Sequence, residues 1–317
     1  MENAPSILPL SNQPSLSKKR ETTSLLKSDP AWPRRIVCLT AETTEILFAL
    51  GAGDRIVGVS GYTVRPPEAR LKEKVAAFTS VRMDKIRALE PDLIFAFSDL
   101  QKDIVRELTE AGYNLFVTNQ RSLKEVGETI VAVGRLLGLE KKSEELCSKF
   151  FGELEELQRK ASEFPRRLHV YFEEWDDPLI SGIRWVGELI RMLGGEDIFE
   201  ELEAGKVARE RRVNPEEVIH RNPEVILASW CGKKVQTEKI RSRPGWDKIE
   251  AVQKNQIYEI KSADILQPGL SLLHGARQMF DVFCAVHRES VVIARSEATK
   301  QSRSQIASPV AKHAGSQ

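Results

Sequence analysis

Between Glu140 and Phe164, apolar residues fall at Leu146, Phe150, Leu154, Leu157 and Ala161, and charged residues fill most of the positions between them. The spacing of four, four, three and four keeps these side chains on one stripe of a helix with 3.6 residues per turn. The stretch is therefore predicted to be one long amphipathic helix, on the order of 35 Å at 1.5 Å per residue. A single apolar stripe of that length needs cover along its whole run, and such a helix can reach across an entire domain.

On both sides of it, short apolar runs alternate with stretches of helical period, the pattern of βα units in a largely parallel sheet. Before the long helix, strands are predicted over 35–39, 55–59, 92–97 and 114–118, and helices over 42–50, 84–89, 102–111 and 122–137. Gly51 stops the first of these helices, Pro91 the second, and Ser122 with Glu125 gives the last one the S-x-x-E spacing of a capping box. After the long helix the same pattern restarts, with strands over 168–172 and 225–229 and a helix over 185–193.

The two sides are related to each other. Met83-Asp-Lys-Ile-Arg-Ala-Leu-Glu-Pro-Asp-Leu-Ile-Phe-Ala-Phe97 aligns without gaps onto Pro215-Glu-Glu-Val-Ile-His-Arg-Asn-Pro-Glu-Val-Ile-Leu-Ala-Ser229, every position keeping the same offset of 132. Upstream of each copy a helix ends alike, at Leu50-Gly-Ala-Gly-Asp and at Leu193-Gly-Gly-Glu-Asp. Helix, proline, acid and strand in that order are common α/β punctuation, but two matches in the same order imply duplicated lobes. The expected fold is α/β, two Rossmann-like lobes joined by one long rigid helix. The lobes are expected at 34–138 and 166–288, with the helix at 139–165. Residues 1–33, rich in Ser, Pro and Lys, and 289–317, poor in apolar anchors, are expected to be disordered.

Composition narrows the chemistry. The 317 residues suit two domains at about 150 residues each. Lys plus Arg number 47 against 46 Asp plus Glu, which gives no global field for nucleic acid or an anionic membrane. Hydrophobic residues at 41% and no run of 18 apolar residues argue against a membrane bundle. Cys38, Cys147, Cys231 and Cys284 are far apart, with no CxxC pair, and read as buried free thiols rather than a zinc knuckle or disulfide framework.

Gly51, Gly53 and Gly58 do not form G-x-G-x-x-G and follow a helix instead of opening one. Gly58-Val-Ser-Gly-Tyr62 misses the nucleophile elbow because its second glycine comes one place early. The histidines have no neighbours at ligand spacing, so no metal site and no intrinsic cofactor is expected. Glu173, Glu174, Asp176 and Asp177 form the densest acidic cluster, and a solvated loop is expected for Glu173 and Asp176.

Aromatic residues in predicted loops point to a site. Tyr62, Phe78 and Phe97 come from the first lobe, and Trp175, Trp185 and Trp230 from the second. Open α/β sheets bind ligands outside the carboxyl ends of their strands, where these residues are expected. Each alone is a good core residue; together they suggest a cleft lined by flat rings, suited to a large, planar, mostly neutral ligand.

The chain from about Arg34 to Arg288 resembles the substrate-binding proteins of iron-siderophore, haem and vitamin B12 ABC importers. The residues that carry the likeness are Glu42-Thr-Thr-Glu-Ile-Leu, Leu50-Gly-Ala-Gly-Asp-Arg-Ile-Val-Gly-Val, Leu89-Glu-Pro-Asp-Leu-Ile, Asn222-Pro-Glu-Val-Ile-Leu and Pro244-Gly-Trp-Asp. Gly61-Tyr-Thr-Val-Arg-Pro-Pro67 and Glu174-Trp-Asp-Asp-Pro178 are similar to the cobalamin-binding branch. The resemblance implies the class III periplasmic-binding-protein fold, no enzymatic activity, and a monomer that captures a corrinoid and delivers it to a permease dimer of an ABC transporter. It implies that Tyr62, Phe78, Phe97, Trp175, Trp185 and Trp230 pack on the ring, and that Asp177 and Gln267 hydrogen-bond its amide arms. Phe78 stands where the branch often has Trp. Asp84 matches one transporter-docking acid, and the second such position, near Leu266 and Gln267, has no acid.

Haem or a ferric siderophore is the alternative cargo, and an anionic siderophore would call on Arg65, Arg82 and Arg184. The resemblance implies a periplasmic protein, whereas residues 1–33 lack the apolar stretch of a secretory signal. A cytoplasmic corrinoid-handling protein or enzyme is the corresponding alternative.

Overall fold

In a computed structural model, residues 32–306 are described, with side chains described to residue 289. Most of residues 1–33 and the end of the expected tail, 307–317, lie outside the described residues.

The first lobe contains β1 (Ile36–Cys38), α1 (Ala41–Ala49), β2 (Ile56–Ser60), β3 (Glu73–Ala76), α2 (Met83–Leu89), β4 (Leu93–Phe97), α3 (Lys102–Glu110), β5 (Leu115–Thr118) and α4 (Leu123–Leu136). Its five strands are all parallel, in the order β3-β2-β1-β4-β5. The strand order reverses between β1 and β4, so the crevice at their carboxyl ends is the natural ligand position of this lobe.

Helix α5 (Glu140–Ala161) leads into the second lobe, which contains β6 (Leu168–Asp176), β7 (Leu179–Ser181), α6 (Arg184–Met192), β8 (Gly195–Asp197), α7 (Pro215–Arg221), β9 (Val225–Ala228), α8 (Thr237–Arg241), α9 (Glu250–Gln253), β10 (Ile257–Glu259), α10 (Ser262–Ile265) and α11 (Leu272–Ile306). Here the order is β10-β9-β6-β7. β8 runs parallel to the start of β6, and β7 antiparallel to its end. Strands β3, β7, β8 and β10 have no counterpart in the sequence reading, because three or four residues such as Gly-Glu-Asp carry no apolar alternation to read.

The repeat is real in three dimensions. Helices α2 and α7 both have seven residues, and each ends on a left-handed residue at the same place in the repeat, Glu90 (φ 44°) and Asn222 (φ 43°). Each is followed by Pro, acid and strand. Upstream, α1 and α6 end before left-handed Gly51 and Gly194.

Every central strand is buried on both faces, and period-two alternation divides its side chains between separate cores. In the first lobe Ile36, Cys38, Leu93 and Phe95 face one way, while Val37, Leu39, Ile94 and Ala96 face the other. In the second, Leu168, Val170, Phe172, Val225 and Leu227 oppose Tyr171, Ile226 and Ala228. The inward faces of both sheets belong to one continuous cluster. It is filled between the sheets by Val126, Ile130 and Val133 of α4, Phe150, Leu154 and Leu157 of α5, and Leu189 and Ile190 of α6, and it takes Met279 and Phe283 from α11. The stripe read from the sequence on α5 is therefore the seam between lobes.

Helix α11 continues to Ile306, past Arg288, through residues expected to be disordered. Among the thiols, Cys38 is buried as expected, Cys147 and Cys284 are half-buried, and Cys231 is exposed.

The α4–α5 contact is close because α4 has glycine on that face. A Cβ at Gly134 would come 2.1 Å from Ser143 Cβ, and one at Gly127 would come 2.5 Å from the Phe151 ring. Gly152, on the open side of α5, has nothing within 4 Å. Gly134→Ala should therefore lower stability by about 1–3 kcal/mol through overpacking. Gly152→Ala should raise it by roughly 0.5–1 kcal/mol. Urea unfolding of the two variants measures both, and equal effects would contradict the packing described.

Candidate functional site

The carboxyl ends of both sheets open onto one cleft, which contains a cavity of about 160 Å³. Its first-lobe wall follows the strand ends: Glu42 after β1, Phe78 after β3, Phe97 and Leu100 after β4, and Arg121 after β5. The second-lobe wall is Glu174 near the end of β6, Ile183 and Trp185 at the start of α6, the Lys206–Ala208 loop, Arg211, Cys231 after β9, and the Leu266–Pro268 segment.

Buried polar groups hold the rings in place. Gln101, fully buried, accepts the Phe97 N–H at 2.9 Å and donates to the Phe78 carbonyl at 2.9 Å, tying the two first-lobe loops together. The Arg121 guanidinium lies 5.6 Å from the centre of the Phe97 ring and donates to Asp99 at 2.9 Å. Across the cleft, the Trp185 indole N–H donates to the Ile265 carbonyl at 2.8 Å. Arg211 forms a bidentate pair with Glu174, at 2.7 and 3.0 Å, in the planar geometry that suits guanidinium and carboxylate.

Hydrogen bonds and an ion pair join the two lobes. Gln120 donates to the Pro268 carbonyl at 2.9 Å, and the Leu123 N–H donates to Glu188 at 2.7 Å. Arg65 reaches from the first lobe to Asp264 and the Ala263 carbonyl, each at 2.6 Å, and to its own neighbour Glu45 at 3.2 Å. A Cβ at Gly269 would come 2.6 Å from Glu42 Cβ, so the segment before α11 lies directly against the start of α1.

Of the residues expected at the site, Phe78, Phe97, Trp185 and Gln267 line the cavity. Tyr62 does not; it is 50% exposed on the loop after β2. Trp175 is half-buried outside the cavity wall, with the Lys233 ammonium 4.0 Å from its ring centre and its indole N–H on the Asp177 carbonyl. Asp177 is exposed on the β6–β7 turn. Trp230 belongs to the core of the second lobe at 1% exposure, because its indole N–H is satisfied by Glu173 at 3.0 Å and its ring packs with that lobe's outer cluster. Asp84 is 68% exposed and paired with Arg82 at 3.1 Å. Leu266 and Gln267 form cavity wall rather than outer surface.

The acidic cluster also differs from expectation. Strand β6 continues to Asp176, so Glu173 and Asp176 are buried instead of solvated. Arg243 pairs with Glu173, and Lys233 and Lys239 pair with Asp176, which compensates the buried charges. The arginines suggested for an anionic siderophore are each paired: Arg65 with Glu45 and Asp264, Arg82 with Asp84, and Arg184 with Glu188 at 3.0 Å. Gln101, Arg121 and Arg211 carry no motif in the sequence, and Glu42 lies in a stretch that carries the family likeness without a site role attached to it. The position of Glu42 follows from the switch point next to β1.

Residues 36–263 match the family model described as periplasmic binding protein. An uncharacterized ABC transporter substrate-binding lipoprotein of Bacillus subtilis is 27% identical over 256 residues, covering 78% of this chain and 79% of that protein. A vitamin B12-binding protein of Vibrio vulnificus is 26% identical over 259 residues, covering 80% of this chain and 92% of its own. Among solved structures, the periplasmic vitamin B12 binding protein of Vibrio cholerae superposes with a TM-score of 0.64 at 24% identity, over 80% of this chain and 97% of that one. A periplasmic haem-binding protein from Roseiflexus reaches 0.70 at 23% identity, over 80% of this chain and 99% of that one.

Burial of Glu42 on the cavity floor raises its carboxyl to about 7, opposed only in part by the Thr40 hydroxyl that donates to it at 2.5 Å. The folded chain then holds a proton that the unfolded chain has released between about pH 4.5 and 7. Glu42 therefore withdraws stability as pH rises through that window. Glu42→Gln keeps the shape and removes the titration. Its stability relative to the parent should rise by on the order of 1–3 kcal/mol between pH 4.5 and pH 8, measured by denaturant unfolding. A difference that stays constant with pH would show that Glu42 is ionised in the fold.

Proposed function

The chain belongs to the periplasmic binding protein family and is a substrate-binding component of the ABC-importer type; from that premise we propose that its cargo is a corrinoid, held in the cleft between the two lobes. The observation that carries the proposal is the cavity itself. Phe78 and Phe97 from one lobe face a wall containing Trp185 and Pro268 from the other, and its fixed guanidinium groups are neutralised by carboxylates. Flat apolar walls and little uncompensated charge suit a planar macrocycle whose arms are mostly neutral amides. Two of the vitamin B12-binding proteins described above support the same cargo.

At about 160 Å³ the cavity is smaller than the roughly 300–1,000 Å³ typical of small-molecule sites, so cargo entry needs the lobes to part. The cross-lobe contacts of Gln120, Leu123 and Arg65 are those that must lengthen or break. Because the inter-sheet core is continuous, opening is a small hinge or shear rather than a wide swing.

Transporter docking falls to acids related by the repeat. Asp84 lies in the first turn of α2, and Glu216, its counterpart at the offset of 132, lies in the first turn of α7. Both are exposed, one on each lobe. The reading places the protein outside the cytoplasmic membrane beside its permease. Among the described residues no helix is long and apolar enough to cross a membrane.

Titration of the purified protein with cyanocobalamin, haemin and a ferric siderophore tests the cargo. Saturable cyanocobalamin binding with Kd below about 10 μM, near −7 kcal/mol, is expected. Phe97→Ala and Trp185→Ala should each weaken it more than tenfold, while Tyr62→Ala leaves it within about twofold. Saturable binding of haemin or the siderophore without cyanocobalamin would reject the corrinoid.

A further inference from the structure

The cleft holds a second chamber beside the apolar one. It measures about 480 Å³ and shares Arg121, Ile183 and Lys206 with the first, so the two are neighbours across a partition made by those side chains. Its character is different. Asp99, Asn119 and Glu125 line it from the first lobe, and Arg184, Glu203 and Lys206 from the second.

The charges facing this chamber can be followed one at a time. Asp99 is paired with Arg121 at 2.9 Å. One oxygen of Glu125 accepts the backbone N–H groups of Arg121 and Ser122, at 2.6 and 3.0 Å, as the N-terminal cap of α4. Glu203 is paired with Arg191 at 2.6 Å, and Arg184 with Glu188 at 3.0 Å. Lys206 is the exception. Its backbone N–H donates to Glu210 at 2.8 Å, but among the described residues its ammonium has no carboxylate within salt-bridge distance, and it stands exposed on the partition between the chambers. Of the cations that line the chamber, Arg121, Arg184 and Lys206, the last is the one without a carboxylate partner among the described residues, which leaves its ammonium available to a single negative group.

We propose that this outer chamber takes an oxyanion-bearing arm of the cargo, a phosphodiester or a carboxylate, on the Lys206 ammonium, while the macrocycle occupies the apolar chamber. The proposal rests on the tetrapyrrole reading above and specifies which part of such a ligand enters which chamber. A corrinoid with its nucleotide arm offers one phosphodiester, and haem offers carboxylates; arms ending in amides accept a hydrogen bond from Lys206 but form no ion pair with it.

Two pairs of ligands separate the sources: cyanocobalamin against dicyanocobinamide, which lacks the nucleotide arm, and haemin against its dimethyl ester. Each is titrated calorimetrically into the full chain and into Lys206→Glu and Lys206→Ala. Lys206 is exposed on a loop, so both variants should fold, as an unchanged urea midpoint will show. In whichever pair binds, Lys206→Glu should weaken the acid-bearing member at least fivefold and the masked member less than twofold, with Lys206→Ala between. Equal losses in both members, or no loss in either, would overturn the assignment while leaving the cargo class intact. Absence of binding by all four ligands would instead remove the tetrapyrrole reading, and this inference with it.

Discussion

The two lobes share one hydrophobic core, and the cleft depends on it. Ile36, Cys38, Leu93 and Phe95 from the first sheet and Leu168, Val170, Phe172, Val225 and Leu227 from the second belong to a single cluster filled by helices. Burial at about 25 cal/mol per Å² of apolar surface is the main source of stability in such a core, and removing a side chain such as Leu154 would cost about 2–5 kcal/mol. A cluster that includes both sheets fixes their separation and angle. The strand ends then face each other across a gap that only a small hinge or shear can widen, and the residues after them become the two walls of the candidate site.

The chemistry of the walls follows from that geometry. Loops leaving β1, β3, β4 and β5 bring Glu42, Phe78, Phe97 and Arg121 to one side, and the other side comes from Glu174, Trp185, Arg211 and the segment before α11. Such loops are held by polar groups that the structure satisfies internally, as Gln101 does for Phe78 and Phe97. Charges that enter the cleft are mostly paired on the same lobe, Arg121 with Asp99 and Arg211 with Glu174. The apolar chamber therefore offers rings and mostly paired charges, and Lys206, on the border of the two chambers, stands without a carboxylate partner among the described residues.

Much of the fold could be read from the sequence because it is written in periodicity. The α5 stripe, the central strands and the repeat of 83–97 onto 215–229 are local patterns, and even the left-handed ends at Glu90 and Asn222 keep the repeat offset. The site was legible in part. The rule that ligands lie beyond strand ends points to Phe78, Phe97 and Trp185, which line the candidate cavity. The same rule placed Trp230 in the cleft, but a buried carboxylate at Glu173 draws its indole N–H inward, and that partner is 57 residues away in the chain. Glu173 and Asp176 read as a solvated loop in the sequence because the cations that neutralise them, Arg243, Lys233 and Lys239, lie 70, 57 and 63 residues away. Glu216 is the counterpart of Asp84 at the repeat offset, so the repeat relates surface residues as well as core residues.

The cooperativity of unfolding tests directly whether the two lobes share one core. Pulsed hydrogen exchange across a urea series reports the strands of each lobe separately: β1 and β4 in the first, β6 and β9 in the second. If the sheets are joined through one core, all four strands should lose protection at the same urea concentration, within error, as one cooperative unit. Two separated transitions, with β1 and β4 exchanging while β6 and β9 stay protected or the reverse, would mean that the lobes are independent domains and that the core between them does not set the cleft.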